Sequence, residues 1–108
     1  MKLIFAIVNN DDSTVVATNL TAKGYSVTKL ASSGGFLKSG NTTFIVGTED
    51  EKVSDVIEIV KAHSKKRTKV MQSKVDFGLS GIVPSPAVEV AVGGATIFVL
   101  NVEAFEKC

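Results

Sequence analysis

The sequence predicts an α+β fold, a ferredoxin-like βαββαβ sandwich with an extra C-terminal hairpin strand. Three observations lead there. Apolar or alternating runs at residues 3–8, 25–31 and 41–47 read as strands, and two more follow near the C-terminal end. Stretches with helical spacing sit after the first run and after the third. The order is therefore β-α-β-β-α, then a loop, then a hairpin, which is the split βαβ plan with one strand added. The chain has 108 residues and is 44% hydrophobic, which suits a single domain over 1–108 with one core.

Each element has its own signal. Residues 3–8 are apolar at every position, as in a strand covered on both faces. "NNDDST" breaks that run, and Asp12 reads as the N-cap of a helix carrying Val16 and Leu20 on one side. Gly24 ends this helix, because glycine takes the left-handed conformation at little cost. "YSVTKLA" and "NTTFIVG" are the second and third strands. Thr48 and Glu51 have capping-box spacing, and Val53, Val56, Ile57 and Val60 share one face of the helix behind them, which frays near His63. Residues 68–85 read as a long loop with a strand fragment near 69–73. "PAVEVAV" and "ATIFVLNV" flank Gly93-Gly94, the mark of a tight hairpin.

Both helices should cover one face of the sheet. The other face is nevertheless apolar: Leu3, Phe5 and Ile7 alternate with Ile4, Ala6 and Val8, and Phe98 and Leu100 alternate with Ile97 and Val99. A second copy of the chain is the simplest cover, in a closed ring with its sheets facing inward.

The sequence offers little for catalysis. Its one histidine, His63, reads as a solvated helix-terminal residue, and its one cysteine, Cys108, as a tail residue. Asp11 and Asp12 read as helix-start residues, and no spacing resembles a zinc, calcium or Walker site. The formal charge of +1, from 12 basic and 11 acidic residues, makes no case for nucleic acid or a membrane surface. The basic run at 65–69 suits a helix C-terminus and could lend charge to an anionic ligand. The lone cysteine and the short N-terminal apolar run point to a soluble, cytoplasmic protein.

The loop in "LASSGGFLKSGNTTFIVG" is different. Gly34, Gly35 and Gly40 let the backbone approach a ligand and offer N–H groups to anionic oxygens. Phe36 could stack on a base with Leu37 at its edge, and Asn41 has the donor and acceptor that a purine edge requires. Thr28 and Gly47 lie on the flanking strands. The other reading is an ordinary connection whose Phe-Leu pair packs on a neighbouring subunit.

"TKLASSGGFLKSGNTTFIVG" and "VEVAVGGATIFVL", with "MKLIFAIV" and the helix after "GTEDEKV", resemble the PII-like cyclic-di-AMP receptor family of bacterial signal transduction proteins. The resemblance spans nearly the whole chain and is weakest at 68–85. It implies a PII-like homotrimer with no catalytic role, no cofactor and an unidentified downstream protein partner. It also implies cyclic di-AMP bound in clefts between subunits, with loops that change order on binding. The residues matching the family's ligand contacts are Thr28, Gly35, Phe36, Leu37, Asn41, Gly47 and Phe98. The chain departs from the family at Ser26, where an arginine is common, at Ser85 in place of tyrosine and at Ala91 in place of an acid. Lys107 falls where the family has a polar C-terminal contact. The arginine's replacement leaves an alternative, a PII-like trimer that senses another adenine nucleotide or none.

Overall fold

The computed structural model describes residues 1–30, 40–71, 74–76, 82–84 and 88–108. Strand β1 (Lys2–Asn9) leads directly into helix α1 (Asn10–Ala22), followed by β2 (Val27–Leu30) and β3 (Asn41–Thr48). A single 3-10 turn (Asp50–Lys52) precedes helix α2 (Val53–Ala62). Then come β4 (Arg67–Met71), β5 (Lys74–Asp76), β6 (Ile82–Pro84), β7 (Val88–Val92) and β8 (Ala95–Asn101). The main sheet is four-stranded, in the order β2-β3-β1-β8, and every neighbouring pair in it is antiparallel. This antiparallel sheet with two helices is compatible with the predicted ferredoxin-like fold.

The helices cover the face that carries Ile4, Ala6 and Val8. These pack with Phe44 and Val46 of β3, Val16 and Leu20 of α1, and Val56 and Val60 of α2. The predicted stripe on α2 is thus half core: Val56 and Val60 are buried, and Val53 and Ile57 are half-buried at its margin. Burial of these side chains is the main favourable term holding the layer together. On the opposite face, Leu3, Phe5 and Ile7 are only half-buried, and Phe98 and Leu100 are exposed.

Both predicted helix caps shift. The N-cap of α1 is Asn9, not Asp12: the Asn9 side chain accepts from the Asp11 backbone N–H at 2.9 Å. Asp12 lies inside the helix and is buried because Arg67 claims it, through Nη2 at 2.9 Å and Nη1 at 3.2 Å. At the second helix, Glu49 caps the 3-10 turn without a side-chain hydrogen bond, so the Thr48–Glu51 capping box does not form. The helix stops are where the sequence puts them. Gly24 has φ +91° just beyond α1, and His63 is the C-cap of α2.

The larger correction concerns residues 67–92. The long loop contains strands, and β7 pairs with β4 rather than with β8. The pairings are nested: Arg67 opposite Val92, Met71 opposite Val88, Lys74 opposite Pro84 and Asp76 opposite Ile82. Gly93-Gly94 is accordingly no hairpin turn. It passes the chain from the β4–β7 ribbon to the edge of the main sheet, where β8 pairs with β1. Both glycines have positive φ, and the Gly94 N–H donates to the Ser64 carbonyl. A Cβ on Gly93 would collide with the Lys65 carbonyl oxygen, so the close crossing of the two chain segments requires glycine there.

Candidate functional site

Four of the seven residues singled out in the sequence lie on described strands. Thr28 is exposed on β2, Asn41 half-buried at the start of β3, Gly47 exposed near its end, and Phe98 54% exposed on β8. Gly35, Phe36 and Leu37 lie outside the described residues. The cross-strand partners set the faces. Thr28 is opposite Ile45, Gly47 opposite Leu3, Phe98 opposite Phe5 and Asn41 opposite Asn9. Directly paired residues share a face, and faces alternate along a strand. All four residues therefore belong to the face that the helices leave open.

They share a face without converging on one point. Asn41 and Gly47 are six residues apart on one extended strand, a separation of roughly 20 Å at the usual rise. Thr28 is near Gly47, diagonal to it across the β2–β3 pair. Phe98 is level with Thr28 but on the far edge of the sheet, three strand spacings or roughly 14 Å away.

A polar cavity of about 240 Å³ opens at the Asn41 end, lined by Asn9, Asn41, Lys66, Gly93, Gly94 and Thr96 among others. The local geometry is well fixed. The Asn10 backbone N–H donates to the Gly40 carbonyl at 2.9 Å, and the Thr42 hydroxyl donates to the Asn10 side-chain carbonyl at 2.6 Å. Gly40 has φ +94°, which lets the chain turn into β3 at this point. Lys66 brings a cation beside Asn41, the role open to the basic run at the end of the second helix. The sequence did not tie Gly93-Gly94 to this cavity, because their spacing also fits a hairpin.

A second cavity of about 250 Å³ lies at the other end of β3, with Ser26, Gly47, Lys23 and Lys52 in its lining. At Gly47 the end of the Met1 side chain would sit 3.3 Å from an added Cβ, so glycine keeps this spot open. Nearby, the Tyr25 hydroxyl donates to Asp55 at 2.6 Å. That bond, with burial and the carboxylate charge adding to it, raises the Tyr25 pKa. The Arg67 guanidinium is likewise held charged, chiefly by its hydrogen bonds to Asp12. Among the described residues no group of His, Cys, Asp or Glu is placed to hold a metal ion, and no helix is long and apolar enough to cross a membrane.

A small antiparallel α+β domain with a polar cavity set by glycines at one end of its sheet is a frame that can hold a ligand. The cyclic-di-AMP receptor family matches residues 1–108, the full length of the chain, and the chain belongs to that family. Among solved structures, the chain is similar to a functionally unknown protein from Pediococcus pentosaceus ATCC 25745. The two are 39% identical, with a TM-score of 0.73, over 99% of this chain and 96% of that one.

Proposed function

We propose that this protein is a PII-like, non-enzymatic signal transduction protein, a homotrimer of single-domain subunits that binds cyclic di-AMP in the clefts between them. The observation that carries this reading is the common face of Thr28, Asn41, Gly47 and Phe98. Residues that share a face but lie roughly 20 Å apart along one strand act on one ligand most simply when neighbouring copies contribute different ones. In this reading Thr28 and Gly47 of one subunit and Asn41 of the next face the same dinucleotide. Gly35, Phe36 and Leu37 close over a base, and Asn41 reads a purine edge. Lys66 and the backbone at Gly93-Gly94 stand beside a phosphate. Ligand binding then reorders the loops at the cleft, and an unidentified protein partner in the cytoplasm reads that change.

The open apolar face supports self-association. Phe98 and Leu100 are half exposed in the single chain, where a second copy would cover them. The alternative, another adenine nucleotide or none, is favoured by Ser26, which does not supply the arginine common in the family and leaves Lys23 and Lys52 as the cations of the Gly47 cavity.

Isothermal titration with cyclic di-AMP, ATP and AMP, combined with sedimentation equilibrium, tests both readings. The expected result is a particle of three chain masses that takes up one cyclic di-AMP per chain and ignores the other two nucleotides. Binding of ATP or AMP alone would move the assignment to the alternative. A clean monomer would remove the intersubunit site.

A further inference from the structure

A cavity of about 460 Å³ lies between the C-terminal half of α2 and strand β8, adjoining the Asn41 cavity, with which it shares Lys66, Gly94 and Ala95. Ile57, Ile97 and Val99 form its apolar lining, Lys61, Lys65 and Lys66 supply its charge, and no acidic residue lines it. A groove with this lining selects an occupant that is apolar in the middle and acidic at its flanks.

The end of the sequence has that character. Beyond β8 the Val102 N–H donates to the Met1 carbonyl at 3.2 Å, and residues 103–108 then run exposed and without regular structure. They read "EAFEKC", with Phe105 between Glu103 and Glu106. Phe105 is 65% exposed, more than the other large apolar side chains on the described surface. In the single chain this segment leaves the groove empty: Phe105 stays exposed, and β8 carries the chain past the groove-lining residues Ala95, Ile97 and Val99 to Asn101 before the tail begins.

We propose that residues 103–106 of one copy dock in the α2–β8 groove of the next. Phe105 packs on Ile57, Ile97 and Val99, and Glu103 and Glu106 face Lys61 and Lys65, while Lys66 lies where the groove meets the Asn41 cavity. The contact joins two different surfaces, and a heterologous contact of this kind generates a ring when its rotation closes. It thus rests on the self-association proposed above and gives that association a direction, tail to groove. The apolar centre supplies most of the affinity, and the charges set register and partner choice.

The test is sedimentation equilibrium on the full chain with the tail and groove altered separately and together. Phe105→Ala is expected to weaken association by roughly tenfold or more, as expected for truncating an interface aromatic. Glu103→Lys with Glu106→Lys should weaken it, Lys61→Glu with Lys65→Glu should do the same, and the four changes combined should recover much of the loss. Oxidation provides a second readout. Cys108 alone can join two chains at most, whereas adding Ile57→Cys should let chains link tail to groove into species larger than two. If the parent is trimeric but Phe105→Ala and both charge reversals leave it unchanged, and oxidation stops at two chains, tail docking is overturned while the trimer stands. If the parent is a single chain, the trimer fails and tail docking fails with it.

Discussion

The two faces of the main sheet are built from the same strands and nearly the same kinds of residue, yet they do different work. On β1, Ile4, Ala6 and Val8 are fully buried under the helices, while Leu3, Phe5 and Ile7 on the other face are half-buried. On β8 the contrast weakens. Ile97 is half-buried on the helix side, and Val99, Phe98 and Leu100 are exposed whichever way they point. One face is finished within a single chain. The other, which also carries Thr28, Asn41, Gly47 and Phe98, is left open in the single chain and is the face proposed above for self-association and ligand binding. Apolar character alone does not separate the core face from the open one; the number of helices available to cover it does.

The sharpest way to break this comparison is to cut one side chain from each face. Ile4→Ala is expected to destabilise the fold by about 2–5 kcal/mol, because it leaves a cavity in a fully packed layer. Leu100→Ala should cost the single chain far less and act on self-association instead. Urea unfolding over a range of protein concentrations separates the two. The Ile4→Ala loss should persist at every concentration, and the Leu100→Ala loss should grow where the parent is assembled. Equal, concentration-independent losses would show that the open face is part of the core.

The next effect in size concerns the ligand. Asn41→Ala should weaken cyclic-di-AMP binding by about 1–3 kcal/mol, since a desolvated purine edge loses its partner. Phe36→Ala should lose a similar amount by removing a stacking surface, about 1–3 kcal/mol. Neither should change the particle mass. If both variants bind like the parent in calorimetric titration, the open face is an interface without a nucleotide site.

A smaller effect is expected at the Gly47 end. Ser26→Arg should tighten binding of a dianionic ligand by roughly 0.2–1 kcal/mol, the range of an exposed ion pair. The gain should shrink as salt is raised. A gain independent of salt would mean that the arginine acts by packing rather than by charge.

The smallest effect falls on the helix-covered side, at Tyr25 and Asp55. Because the hydrogen bond raises the Tyr25 pKa above 10.0, its contribution is present at neutral pH and fades as pH rises through the raised value. Tyr25→Phe should therefore lower the thermal midpoint slightly at pH 7, and the difference from the parent should narrow at strongly alkaline pH. A difference that widens there would assign the effect to something other than this bond.

Much of this could be read in the sequence because it depends on near neighbours. The strand at residues 3–8, the stop at Gly24 and the stripe of Val56 and Val60 follow from alternation, from a glycine's φ and from a 3.6-residue period. The candidate ligand residues were legible through family resemblance. Their common face follows from strand alternation only once the register is known, since a slip of one residue would turn Thr28 or Phe98 to the helices. Lys66, Gly93 and Gly94 were missed as a group around Asn41. Their neighbourhood depends on where a distant segment crosses, and no spacing along the chain records it.

The sequence by itself determined the strands and helices as far as Ala62, the last strand, the apolar character of both sheet faces and the family. Only the tertiary structure decided that Asp12 serves Arg67 from inside the helix instead of capping it. Only the tertiary structure decided that Val88–Val92 pairs with Arg67–Met71 and leaves Gly93-Gly94 as a crossing point. The physical reason is the same in each case. Helix and strand periods are set by dihedral preferences and the spacing of apolar side chains over a few residues. A bidentate ion pair or a strand partner is chosen by contacts between segments far apart in the chain, and these win over a local cap or a two-residue turn when they satisfy more buried groups.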